Sequence, residues 1–90
     1  MEKLLVSVFD CKAESWSVPA GADNMASAIR MFSDLVRDNR TLVGQHPEDF
    51  SLWIVGSFDI STGKLKQIEN YSLARGNDFV KKGSEDEVSH

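Results

Sequence analysis

The chain has 90 residues, enough for one domain with a core of marginal size. Hydrophobic residues make up 41% and charged residues 27%, a globular balance that excludes a wholly disordered chain. The net charge is −4, and the single cysteine, Cys11, excludes an intramolecular disulfide and a cysteine zinc cluster.

The charge is unevenly placed. Residues 84–90 hold Glu85, Asp86 and Glu87 and no lysine or arginine, so ten basic residues face eleven acidic ones in the rest of the chain. A nearly neutral body argues against a purely electrostatic nucleic-acid binder, but it leaves room for a local basic groove. A lone thiol suits a reducing compartment. The opening apolar run is too short for a secretion signal and ends in Asp10, and no run reaches membrane-spanning length. No membrane partner is expected.

Taken in order, Lys3–Phe9 reads as a first strand, with Leu4, Val6 and Val8 on one face and Leu5, Ser7 and Phe9 on the other. Residues 10–13 form a turn. Glu14–Val18 reads as a short second strand that carries Trp16 and Val18 on one face, closed by Pro19 and paired with the first strand as a hairpin. Gly21–Asn24 is a break, and Asp23 or Asn24 serves as a helix cap. Met25, Ala28, Ile29, Phe32, Leu35 and Val36 recur at helical spacing, which predicts a helix ending near residues 38–40. Residues 41–50 are a loop in which Pro47 starts a single helical turn.

Leu52–Phe58 is the third predicted strand, dense in β-branched and aromatic residues. A turn at Asp59–Gly63 leads to a fourth, more basic strand. Tyr71 and Leu73 either continue that strand or pack under the sheet, and Phe79 is a late anchor. Residues 1–82 thus form a single domain, and residues 83–90 an acidic, flexible tail. The order β-β-α-β-β predicts an α+β two-layer sandwich: a four-stranded, mainly antiparallel sheet with one helix on one face. The third strand is apolar on both sides, with Leu52, Ile54 and Phe58 facing one way and Trp53 and Val55 the other. One helix covers one side, and an uncovered apolar sheet face marks an interface.

Several segments together resemble the small nonstructural protein of gokushoviruses, single-stranded-DNA phages of the Microviridae. They are residues 3–13, the helix from Met25 to Asp38, the run His46-Pro47-Glu48-Asp49-Phe50-Ser51-Leu52, then Gly56-Ser57-Phe58-Asp59 and Thr62-Gly63-Lys64-Leu65. The resemblance covers roughly residues 3–75 and leaves out the tail. It implies a DNA-binding protein of the bacterial host's cytoplasm. That protein acts when replication shifts from duplex forms to single-strand production and packaging. The resemblance supplies no binding residues.

Those come from the sequence itself. Bases stack on exposed aromatic rings without sequence preference. Trp16 and Trp53 are the stacking candidates. Lys3, Lys12, Lys64, Lys66, Arg75, Lys81 and Lys82 are the candidate phosphate contacts. The competing reading packs the tryptophans into a homodimer interface and uses the lysines to protect sheet edges. A second competing function is a protein-interaction module for a phage or host replication protein, with no direct DNA contact. Catalysis and cofactors are not expected. His46, Glu48 and Asp49 make a poor metal-ligand set, better read as a turn capped by Asp49. Cys11 lacks a partner histidine and reads as a buried structural residue.

Overall fold

A computed structural model describes residues 1–80. The expected α+β sandwich is present, an open antiparallel sheet with one main helix on one face. Strand β1 (Glu2–Asp10) turns into a two-residue β2 (Ser15–Trp16) and then β3 (Ala20–Ala22). Helix α1 (Met25–Val36) and a short α2 (Leu42–Gln45) follow, and the hairpin of β4 (Phe50–Asp59) and β5 (Leu65–Arg75) completes the sheet. The order across the sheet is β2-β1-β4-β5, with β3 lying on the same edge of β1 as β2.

Of the predicted second strand only Ser15–Trp16 pairs, as β2, and a further strand, β3, follows Pro19. Pro19 cannot donate to the ladder, so the edge breaks between them. Ser17 bridges the gap. Its N–H donates to the Val8 carbonyl at 2.9 Å, and its Oγ accepts from the Val8 N–H at 2.9 Å. Val18 leaves the ladder and is 88% exposed. The break expected at Gly21–Asn24 in fact opens with β3, because Ala22 registers with Leu4 and is buried.

Asn24 caps α1, its Oδ1 accepting the Ser27 N–H at 2.8 Å, a bond whose loss typically costs about 1 kcal/mol. The helix ends at Val36, short of the expected boundary. The Asp38 carboxylate takes both the backbone N–H of Arg40, at 3.0 Å, and its guanidinium. This turns the chain out of the helix and holds the Asp38 carboxyl below its ordinary range. Thr41 then caps α2, its Oγ1 accepting from Gly44, and Pro47 opens the expected single turn at Pro47–Asp49.

Val6, Leu52 and Ile54 of the sheet meet Ala28, Phe32 and Val36 of α1 in the core. Phe32 is 1% exposed; full burial of such a ring contributes about 1.5–3 kcal/mol. The segment after β5 also joins this layer. Phe79, in the turn Gly76–Phe79, stands edge-on to Phe32 at 6.0 Å. Phe79 is thus the expected anchor, and it reinforces the helix side of the sheet. The strand before it runs on through Tyr71 and Leu73 to Arg75.

Two irregularities decide which side chains share a face. In β4, Val55 is an extra residue: Ile54 pairs with Val6, but Gly56 pairs with Leu5. The alternation slips there by one, and a one-residue slip moves every later side chain to the other face. Ser57 thus joins Leu4 on the helix side. Phe58, expected beside Leu52 and Ile54, lies opposite Lys3 on the uncovered side. In β5, Leu73 is extra between the pairs Leu52–Ala74 and Trp53–Ser72, which lets Leu73 and Ala74 both pack toward the core.

Gly76 lies so close to Pro47 that a Cβ there would overlap the proline carbonyl, whereas a Cβ on Gly21 would meet nothing within 4 Å. Gly76→Ala should destabilise the fold by about 1–3 kcal/mol, as overpacked sites do. Gly21→Ala should stay within about 0.5 kcal/mol of the parent. Urea midpoints of the two variants check this contrast. Equal midpoints would contradict the packing of the Gly76–Phe79 turn against Pro47.

Candidate nucleic-acid interface

The uncovered sheet face is built by the cross-strand register. Ser7, Trp53 and Ser72 lie side by side across β1, β4 and β5, and Phe9, Ser51 and Arg75 form the next row. The β1–β2 turn adds Trp16 by pairing it with Phe9. That turn is held by Asp10, whose Oδ1 accepts from Lys12 at 2.9 Å and Ala13 at 3.2 Å. Glu14 completes it at φ 54°, a left-handed position uncommon for a residue with a side chain.

Three aromatic rings result. Phe9 and Trp16 lie 4.7 Å apart between centroids, and Trp16 stands edge-on to Trp53 at 5.7 Å and 71°. Both distances fall in the range where aromatic pairs add about 0.5–1.5 kcal/mol beyond burial. The Trp53 indole N–H donates to Ser51 Oγ at 2.8 Å, which fixes the ring's tilt. Trp16 remains 44% exposed. After β5, Phe79 packs on the helix side against Phe32 and not on this cluster.

Beside Trp53 the sheet ends in a cleft of about 340 Å³. Phe9, Trp53 and Arg75 line it from the sheet, Cys11 from the first turn, Glu48 and Asp49 from the turn before β4, and Asn77 from the turn after β5. The Cys11 N–H donates to the Asp49 carbonyl at 2.9 Å and ties two of these walls together. The Arg75 N–H donates to Asp78 Oδ2 at 2.8 Å and anchors the third. Cys11 is exposed, not buried as expected, because it sits at the tip of the turn. Nor does the Asp49 side chain cap its own turn: among the described residues its carboxylate accepts no hydrogen bond.

The basic candidates separate. Arg75 lies at the aromatic end of the sheet, and Lys12 sits in the turn between Phe9 and Trp16. Lys3 registers with Phe58, five residues beyond Trp53, which is about 17 Å along a strand. It is ion-paired with Asp23. Lys64 immediately precedes β5 at that same far end. Lys66 pairs with Ser57, which pairs with Leu4, so it belongs to the helix side. Lys81 and Lys82 lie outside the described residues, as does the acidic tail. Trp16, Trp53 and Arg75 are thus brought together, with Lys12 close in sequence; Lys3, Lys64 and Lys66 are not.

Residues 3–79 match the model of the Phage ORF5 protein family, a span that takes in the sheet, the helix and the cleft. The chain belongs to the Phage ORF5 protein family. No curated protein and no solved structure matches it.

Two further features of this ORF5-family chain bear on function. On the helix side, an apolar groove of about 430 Å³ runs between α1 and the β1 edge, walled by Val6, Val8, Val18, Met31 and Leu35. No charged cluster accompanies it, unlike the cleft. His46, Glu48 and Asp49 bring their ligand atoms within 4.8 Å of one another, the closest histidine contact being Nδ1 to Glu48 Oε2 at 4.0 Å. His46 and Glu48 are exposed and Asp49 is half-buried, and three donors of mixed type, two of them open to water, make a weak ligand set. No helix among the described residues is long and apolar enough to cross a membrane.

Sequence reasoning missed Phe9, Asp49 and Asn77 as members of the site. Phe9 was within reach, because a hairpin over residues 10–14 sets it opposite Trp16. The exposed position of Cys11 is directly measurable. A thiol reagent should label it in the folded protein about as fast as in urea. Strong protection in the native state would contradict the placement of the first turn.

Proposed function

We propose that this chain is a non-enzymatic phage DNA-binding protein that prefers single strands. It acts in the host cytoplasm during genome replication or the switch to single-strand production, in keeping with its resemblance to the gokushovirus nonstructural protein. The carrying observation is the Phe9–Trp16–Trp53 cluster on an uncovered sheet face, with Arg75 beside it. Aromatic faces accept any base, and stacking contributes about 1–3 kcal/mol per base. Duplex DNA hides those faces, so a platform of this kind favours unpaired strands. The far-end lysines Lys3 and Lys64 supply phosphate contacts to a strand that runs the length of the sheet.

Fluorescence anisotropy with a labelled oligonucleotide at low salt tests this reading. Binding should weaken with a log–log salt slope of about −0.7 per phosphate contacted. Trp16→Ala should weaken it about 5- to 150-fold, matching one lost stacking contact, with an unchanged far-ultraviolet circular dichroism spectrum. No rise in anisotropy across the micromolar range would sink the reading.

The apolar groove beside α1 favours a second reading, a module that binds a replication protein through its helix side. Met31→Glu should then abolish capture of that protein, and the parent chain should bind no oligonucleotide. Under either reading we propose a homodimer, because a small domain with two uncovered apolar surfaces gains core by pairing. Light scattering should give twice the single-chain mass of 10.0 kDa. A monomer at high concentration would refute the dimer.

A further inference from the structure

The cleft beside Trp53 holds chemistry that a plain stacking platform does not need. Its walls differ in kind. Phe9 and Trp53 supply aromatic surface, and Arg75 a fixed positive charge. Glu48, Asp49 and Asn77 also line it, residues that carry two carboxylates and a side-chain amide. Its volume of about 340 Å³ lies within the small-molecule range of roughly 300–1,000 Å³. Carboxylates repel a phosphate, so for DNA backbone alone this lining is unfavourable. For a nucleotide it is directional, since the phosphate is drawn to Arg75 and the base is left facing the acids.

From this geometry we infer that the cleft is a base-reading subsite for one unpaired nucleotide, selective for guanine. The inference rests on the single-strand reading and adds to it a position where sequence is read. Splayed bases are recognised on their Watson–Crick edges once stacked on an aromatic ring. Guanine presents N1–H and the N2 amino group side by side, two donors matched to the two oxygens of one carboxylate. Its O6 accepts from an amide such as that of Asn77. Adenine and cytosine offer one amino group each. Thymine offers only N3–H between two carbonyl oxygens, which a carboxylate repels.

Asp49 is the principal acceptor. It is half-buried, and among the described residues its carboxylate has no hydrogen-bond partner. The turn that carries it is held by backbone bonds, from Asp49 N–H to the His46 carbonyl at 3.0 Å and from Cys11 N–H to the Asp49 carbonyl at 2.9 Å. The Asp49 backbone is therefore fixed by the fold, and its carboxylate lies within 4.8 Å of the His46 and Glu48 ligand atoms. Glu48, 57% exposed at its side chain, is the outer acceptor.

The test compares a thymidine oligonucleotide about 12 nucleotides long with the same oligomer carrying one central guanine, a length within the usual single-strand site size. Both are titrated into the full chain at one salt concentration, and anisotropy is read. The guanine oligomer should bind about 5- to 150-fold tighter, the range of one good bidentate base contact. In Asp49→Asn/Glu48→Gln the difference should collapse, with affinity for the all-thymidine oligomer retained. Saturating guanine oligomer should also slow thiol labelling of Cys11 more than the all-thymidine one does. Equal affinities for the two oligomers in the parent protein would overturn the subsite and leave the stacking platform standing. Failure of both to bind would overturn the platform and the subsite together.

Discussion

The central strand β4 carries large apolar side chains on both faces, and the chain has one helix to cover them. That shortage governs the rest of the structure. The helix takes the side with Leu52 and Ile54, and Phe32 fills the contact. The chain leaving β5 could have closed the other side. It does not, because Gly76 packs on Pro47 and Phe79 runs to Phe32. The helix layer thus receives two covers and the Trp53 layer none. Trp16 partly compensates by standing against both Trp53 and Phe9, an arrangement that shields ring edges and leaves Trp16 half open to solvent. An aromatic cluster stabilised by its own contacts and still accessible is well suited to receive a flat ligand.

Much of this was legible from period and composition. Alternation located β1 and β4, and helical spacing located α1. Pro47 and Phe79 fell into the expected turn and anchor. What escaped has one physical origin, the local breaks in strand regularity. Val55 is a good strand residue in a good strand sequence, so nothing in the letters marks it as extra. Its effect is nonetheless to move Phe58 to the opposite face from Leu52. Leu73 is likewise an ordinary apolar residue whose doubling with Ala74 hides behind the pattern. The face of a basic residue is equally hard to read from spacing: Lys66 falls on the helix side only once the register past Val55 is known.

The site followed the same division. Both tryptophans stood out by residue type, and the hairpin brought them together with Phe9. The cleft did not stand out, because its walls come from three turns distant in sequence. Cys11, Asp49 and Asn77 meet only through tertiary contacts, among them the Cys11–Asp49 backbone bond. Asp49 looked like a helix cap because aspartate near a proline turn commonly is one. In the fold the turn closes through backbone groups alone, and that leaves the carboxylate available to a ligand.

On the single-strand reading, charge balance would set the character of the binding. Counterion release dominates affinity when many cations meet many phosphates. Here Arg75 shares the cleft with Glu48 and Asp49, so few phosphates would be neutralised there. The electrostatic share of affinity at this end is therefore small, and stacking together with base contacts carries more of it. A protein built this way tolerates salt better than a basic single-strand binder and discriminates bases better than a plain aromatic platform. On the same reading it would bind duplex poorly, because duplex offers phosphates without free base faces. The acidic balance that first argued against nucleic-acid binding then becomes part of the selectivity, penalising any ligand that presents phosphate alone.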